Sequence, residues 1–240
     1  MKHFLATRFN LPAEDWKVSR NGQKVLTDSW LKHRFEIFEK YCLPSVKNQT
    51  NQEFIWCVFF DTKTPQKYKE KIEVISNSFN KLKPIFIDKY EKSLPSLKEF
   101  IASNLESKDD YVITSGIDND DLIHREYIHT IQRLFKPADE MVIDLRLGYQ
   151  VSIEGGVVSI RLKTNYFNPF ISVVEKSVKP NTVFSKAHFE WSDSASIVVF
   201  DDKELWIELV HERNKYNFVD PDFPIVSKIE SSEFGILEFS

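Results

Sequence analysis

Tyr111-Val112-Ile113-Thr114-Ser115-Gly116-Ile117-Asp118-Asn119-Asp120-Asp121-Leu122 is an apolar run that ends in acids. The run predicts a buried strand, and Asp118, Asp120 and Asp121 crowd three carboxylates into the four positions after it. Carboxylates that close repel one another, so a fold that gathers them at a strand end usually offsets them with a cation or a cationic ligand. Asp118 and Asp120 are the outer members of an Asp-x-Asp motif. Hard oxygen ligands at that spacing suit magnesium or manganese that keeps some waters and bridges phosphates. A solvated turn is the plain alternative. A calcium loop does not fit, because neither the glycine nor the late glutamate it needs falls correctly after Asp118.

Toward the N-terminus, strand and helix signals alternate. Phe4-Leu5-Ala6-Thr7 predicts a first strand that stops at Arg8-Phe9-Asn10, ahead of Pro12. Residues 28–42 predict a helix: Leu31, Phe35, Phe38 and Cys42 recur at helical spacing, Thr27 or Asp28 can cap it, and Pro44 follows its end. Phe54 to Phe60 is nearly unbroken hydrophobic sequence, as in a parallel strand covered on both faces, and it stops at Asp61. Thr64-Pro65 then opens a helix with Tyr68, Ile72, Ile75 and Phe79 inward. Pro84 to Ile87 predicts a third strand, and Ser96-Leu97-Lys98-Glu99 a capping box for a helix with Leu97, Phe100, Ile101 and Leu105 inward. Such alternation gives a mostly parallel sheet with helices on its faces, whose sites form beyond the carboxyl ends of the strands. Arg8 and Asn10, Asp61, and Asp118 to Asp121 are therefore expected along one edge.

Toward the C-terminus the pattern changes. His124 to Phe135 predicts a helix with Tyr127, Ile128, Ile131 and Leu134 inward. Residues 141–147 and 157–162 read as strands of a hairpin around Gly155-Gly156, which supply the positive φ of a tight turn. Residues 165–170 read as a loop and 171–178 as a short helix. Ile197 to Phe200 and Leu205 to Val210 read as a second hairpin, turning at Asp201-Asp202-Lys203 and delivering His211 at its end. Beyond Asn217 the chain is punctuated by prolines and reads as a tail.

With 240 residues, 42% hydrophobic and 20 of them Phe, the chain can bury a full core and is short enough for one domain. Thirty-two basic residues against 36 acidic give no positive field, which disfavours nucleic acid as a partner. The first residues turn polar too early for a signal peptide and no apolar run is long enough for a transmembrane segment, so the expectation is a cytoplasmic protein. Cys42 and Cys57, the only cysteines, lie in apolar surroundings and read as reduced core residues. There is no Gly-x-Gly-x-x-Gly after the first strand, no P-loop and no Gly-x-Ser-x-Gly elbow, so a dinucleotide cofactor, a phosphate-cradling loop and a serine hydrolase are unsupported.

Taken in order, Phe4 to Asn10, Cys42 to Val46, Phe54 to Asp61, Ile117 to Asp121 and Trp206 to His211 resemble the rhamnosyltransferase family of GT-A-like glycosyltransferases, over most of the chain to about Asn217. Where that family has Thr-Arg before the acidic motif and a glycine after the late histidine, this chain has Ser115-Gly116 and Glu212. The resemblance implies an α/β, GT-A-like fold (the nucleotide-diphospho-sugar transferase fold), with a mixed, mostly parallel sheet flanked by helices and antiparallel hairpins in the C-terminal half. It implies one domain, with residues 1–123 binding the nucleotide sugar, 124–217 facing the acceptor and 218–240 as a C-terminal tail.

The implied activity moves a sugar, rhamnose by the family's name, from a nucleotide-sugar donor to a glycan or lipid-linked acceptor. Peripheral association with a membrane is compatible with that acceptor. The implied cofactor is Mn2+ or Mg2+, held by Asp118, Asp120 and His211, which would offset charge on the departing diphosphate. Arg8, Asn10, Asp61, Asp118 and Asn119 would contact the donor, with Asp61 against the base, where a carboxylate accepts an imide hydrogen, and Arg8 on oxygens. Inverting transfer needs a general base, and Glu190 or Asp193 is the candidate, beside His188, a weaker rival to His211, and Trp191, which could stack on an acceptor sugar. A non-catalytic carbohydrate- or nucleotide-sugar-binding module of the same fold and a nucleotidyltransferase using the same carboxylates are the alternatives.

Overall fold

The computed structural model describes every residue except Asp15, Arg20, Tyr216 and Ser240. Its first half follows the predicted alternation: β1 (Lys2–Arg8), α1 (Asp28–Ile37), α2 (Leu43–Lys47), β2 (Ile55–Asp61), α3 (Gln66–Ser78), β3 (Leu82–Ile87), α4 (Ser93–Asn104) and β4 (Tyr111–Gly116). β1 pairs in parallel with both β2 and β4, and β2 with β3. Both faces of β1 and β2 are buried along their length, which is why they read as unbroken apolar runs. α3 turns Tyr68, Ile72 and Ile75 inward, as its spacing predicts. Each such side chain stabilises the fold by about 1.5–3 kcal/mol relative to exposure.

The first helix departs from expectation. It does not stop before Pro44 but continues through a wide turn of π type, Phe38–Cys42, into α2, with the Leu43 N–H reaching back to the Phe38 carbonyl. Proline lacks an N–H and clashes with the carbonyl behind it in a regular helix; the wider turn relieves both problems. The capping box expected at Ser96 does not open α4, which starts at Ser93 with Pro95 in its first turn. Thr64 does not cap α3 either: its hydroxyl accepts from Asn10 at 2.9 Å.

The second half holds β5 (Leu122–Ile123), α5 (Tyr127–Leu134), β6 (Glu140–Leu145), β7 (Leu147–Glu154), β8 (Val157–Thr164), β9 (Ser172–Lys176), β10 (Ile197–Phe200) and β11 (Trp206–Val210). A seven-stranded sheet runs β10-β6-β9-β4-β1-β2-β3, and a four-stranded sheet runs β5-β11-β7-β8. Three expectations are corrected here. The hairpin around Gly155-Gly156 is β7–β8; residues 140–145 form β6, a separate strand of the larger sheet. The expected helix at 171–178 is β9, whose β-branched Val173 and Val174 are buried between β4 and β6. Ile197 to Val210 is no hairpin, because β10 runs parallel to β6 in one sheet while β11 joins β7 and β5 in the other. Nor is the C-terminal segment a loose tail: Ile229, Phe234 and Ile236 are buried in a cluster with Ile37 and Tyr41.

Candidate functional site

The acidic loop lies where β4 ends and β5 begins, between the two sheets. Its carboxylates have three different environments. Asp121 is buried and accepts the Leu209 N–H of β11 at 2.9 Å, fastening the loop to the smaller sheet. Burial, with Asp120 and Asp118 alongside, pushes its carboxyl well above the ordinary range. Asp120 is also buried, and one oxygen, Oδ2, accepts from Arg34 Nη1 at 2.5 Å and Asn214 Nδ2 at 3.0 Å, with His211 Nε2 at 3.1 Å. Burial opposes its charge, but Arg34 and His211 outweigh that and hold it well below the usual carboxylate range. Asp118 reaches solvent, and burial of its surroundings with the Asp120 charge raises its carboxyl to about 6.

Asp118 opens into a cavity of about 360 Å³ whose charged lining is Arg8, Arg34, Asp118, Asp120 and Lys215. Arg8, at the end of β1, is fixed by donating to Ser93 Oγ at 3.1 Å and Tyr90 Oη at 2.6 Å. Its guanidinium lies over the Phe184 and Tyr90 rings, 3.7 and 4.5 Å from their centroids. A larger cavity, about 590 Å³, lies between α1 and the β7–β8 turn; it is lined by His211 but by neither Asp118 nor Asp120, so the chemistry points to the smaller one.

The residues expected at the site divide into two groups. Arg8, Asp118, Asn119 and Asp120 meet at the cavity, and His211 touches Asp120 from behind. Asn119 is committed to the fold, donating to the Phe9 and Arg8 carbonyls at 2.7 and 3.2 Å and accepting from Arg34 at 3.0 Å. Asn10 is buried and ties Thr64 to the Asp61 N–H. Asp61 caps its own turn, accepting the Lys63 N–H at 2.9 Å, and is absent from the cavity lining. Glu190 and Asp193 sit on the 3-10 turn His188–Asp193, outside that lining; Glu190 accepts the Ala187 N–H at 2.7 Å, and Asp193 is exposed. The same turn brings His188 close enough to favour the charge of Asp118. Trp191 is fully buried and packs with Val142 and Ile171, so it is a core residue and not a sugar platform.

Arg34 is the residue that sequence reading missed. It occupies the apolar stripe of α1, three positions after Leu31, and is 3% exposed. A guanidinium on an inward face must have a buried partner, and that position was the available signal. Asn214 had a weaker one, three residues past His211, whose N–H it accepts at 2.6 Å. Gly116 runs so close to Pro169 that a Cβ would lie 2.9 Å from its carbonyl oxygen. Ser115 faces inward to His3 Nε2 at 2.7 Å and Ser172 Oγ at 2.5 Å.

The set Asp118, Asp120 and His211 does not fit a divalent ion. His211 Nδ1 accepts the Arg213 N–H at 3.2 Å, which places the ring proton on Nε2, facing Asp120. Neither nitrogen then has a lone pair to offer. Among the described residues no group of three His, Cys, Asp or Glu side chains is arranged to hold a metal.

Residues 2–221 match the family model described as "Putative rhamnosyl transferase". No curated protein matches the chain by sequence. Among solved structures, S. aureus TarS 1–349 is similar with a TM-score of 0.50 and 14% identity, over 87% of this chain and 60% of that one. The same fragment in complex with UDP-GlcNAc gives 0.48 and 15% identity, over 92% and 63%. The inositol-1-phosphate CTP transferase from T. maritima gives 0.39 and 11%, over 87% and 89%. The chain thus spans about 60% of the TarS fragment and shares its fold, the mixed, mostly parallel GT-A-like sheet. No helix among the described residues is long and apolar enough to cross a membrane.

Proposed function

We propose that this chain, which belongs to the putative rhamnosyl transferase family, transfers a sugar from a nucleotide-sugar donor to a hydroxyl of a glycan or lipid-linked acceptor. One observation carries the reading: Arg8, Arg34 and Lys215 line a cavity with Asp118 at the carboxyl ends of parallel strands, where such sheets bind ligands. The donor's diphosphate would lie against the guanidinium groups. Arg8 is held by Tyr90 and Ser93 before any ligand arrives, so little side-chain freedom remains to be lost on binding.

In the reaction the acceptor oxygen bonds to the anomeric carbon as its bond to the diphosphate oxygen breaks, inverting that carbon. The acceptor's proton passes to a carboxylate, for which Asp118 is in place, since it lines the cavity and faces solvent whereas Glu190 and Asp193 lie outside that lining. Negative charge growing on the leaving diphosphate is met by donors already in position, the arrangement that lowers such barriers most.

Calorimetric titration with UDP-, dTDP- and GDP-linked sugars, followed by assay of donor hydrolysis, tests the reading. At least one donor is expected to bind, and Asp118→Ala to lower turnover about 100-fold, as for loss of a general base, without unfolding the protein. If no donor binds or is hydrolysed, the reading fails. Binding without turnover across many acceptors would instead make the chain a nucleotide-sugar-binding module.

A further inference from the structure

We propose that the chain works without a divalent metal, and that Arg34 stands beside Asp120 where an ion would otherwise sit, sharing the donor's diphosphate with Arg8. The inference rests on the nucleotide-sugar reading above and extends it.

Three observations support it. The first is the hydrogen-bond state of the presumptive ligands. Asp120 Oδ2 already accepts from Arg34 and Asn214, and His211 presents an N–H to it and not a lone pair. A metal taking Asp120 Oδ2 would have to displace Arg34, leaving that guanidinium buried without its counter-charge. The second is charge. Among the described residues, Arg8 and Arg34 bring two guanidinium groups to the cavity beside Asp118 and Asp120, so a diphosphate entering it meets fixed positive charge without an accompanying cation. The third is an uncommitted donor. Arg34 is almost wholly buried and lines the cavity, yet its Nε has no hydrogen-bond partner among the described residues. A buried donor without a partner costs about 1–3 kcal/mol, and a ligand oxygen reaching it would recover that loss. Arg34 thus has one terminal nitrogen on Asp120 and Asn119 and another donor in reserve.

Two measurements on the full chain test the proposal. In the first, manganese alone is titrated with protein and followed by electron paramagnetic resonance. The free-ion signal is expected to persist; its loss at stoichiometric protein, with recovery in Asp120→Asn, overturns the proposal whether or not nucleotide sugars bind. In the second, donor binding is measured by calorimetry in excess EDTA and in excess manganese. Equal affinity supports the proposal. Binding that appears only with manganese overturns it and leaves the nucleotide-sugar reading standing, whereas absence of binding in both media removes both.

Arg34→Lys and Arg34→Gln, checked for folding by circular dichroism, should each weaken donor binding in EDTA. The glutamine variant should lose about 10- to 100-fold, the size of one charge-assisted hydrogen bond. Unchanged affinity in a folded Arg34→Gln protein would reduce Arg34 to a structural ion pair and overturn its assigned role. Should that variant not fold, the metal titration and the EDTA comparison still decide the case on the wild-type chain.

Discussion

The two sheets hold the acidic loop from opposite sides, and by different means. The larger sheet sets the loop among side chains: Asn119 reaches back to the Phe9 and Arg8 carbonyls at the end of β1, and Arg34 packs down from α1 onto Asp120. The smaller sheet uses main chain, through the Leu209 N–H on Asp121, and supplies β11, which ends where His211 begins. Three neighbouring carboxylates can coexist because each is managed separately. Asp121 is held by a backbone donor, Asp120 by a guanidinium, and only Asp118 is left facing solvent. The loop is therefore mostly architecture, with one carboxylate free for chemistry.

That division breaks most completely at Asp120. Asp120→Ala leaves Arg34 buried without its counter-charge, and about 3–5 kcal/mol of stability should be lost, visible as a lower urea midpoint at unchanged slope. A loss of only a few tenths, as for exposed pairs, would place the pair on the surface and refute the buried grip. The smaller sheet can be loosened independently through Gly148, where a Cβ would lie 2.2 Å from the Trp206 ring. Trp206 itself is fixed by stacking on Phe170 and by its bond to the Leu145 carbonyl. Gly148→Ala should therefore cost about 1–3 kcal/mol through overpacking. Gly155→Ala is the matched control in the same strand pair. It has a φ of 58° and open space around it, so only backbone strain of about 1 kcal/mol is expected. Equal losses at the two glycines would mean that Trp206 yields.

The smallest effect has the opposite sign. Asp118 has its carboxyl raised to about 6 from an ordinary 3.8. Folding thus favours the neutral form, whose stabilising effect is complete below the unfolded value and is lost as pH rises through about 6. Asp118→Asn is neutral throughout. It should melt slightly above the wild type at about pH 8 and level with it near pH 4, by scanning fluorimetry. A variant that melts lower at high pH would show that the Asp118 charge is stabilising.

The first half was legible because parallel strands covered on both faces must be apolar throughout, and the helices that cover them must carry one apolar stripe. Phe54 to Phe60 and the Tyr68, Ile72, Ile75 series leave little choice. The second half was less so. Val173-Val174 fits a short buried helix or a buried strand equally well, and only the β4 and β6 edges decide between them. The polar strand ends were found by position, but position could not tell which were structural. Asn10 and Asp61 look like ligand contacts in sequence, and in the fold both also have structural bonds, Asn10 to Thr64 and the Asp61 N–H and Asp61 to the Lys63 N–H. Arg34 was hidden for the converse reason, since a charge within a helical stripe reads as an interruption of the pattern until its partner is known.

The wide turn at Phe38–Cys42 has a further consequence, for the length of the chain. Arg34 precedes it and grips Asp120. Ser45 and Gln49 follow it and grip the residues after the loop, Ser45 Oγ accepting the Ile123 N–H at 3.2 Å and Gln49 Nε2 donating to the His124 carbonyl at 2.8 Å. A regular helix rotates about 100° per residue. Deleting one residue from this turn would straighten the helix and swing Ser45 and Gln49 away from their partners while Arg34 stayed in place. Tolerance to single-residue deletion should therefore vanish across these five positions and return in the exposed turn around Gly155-Gly156, a contrast that a deletion scan would read directly.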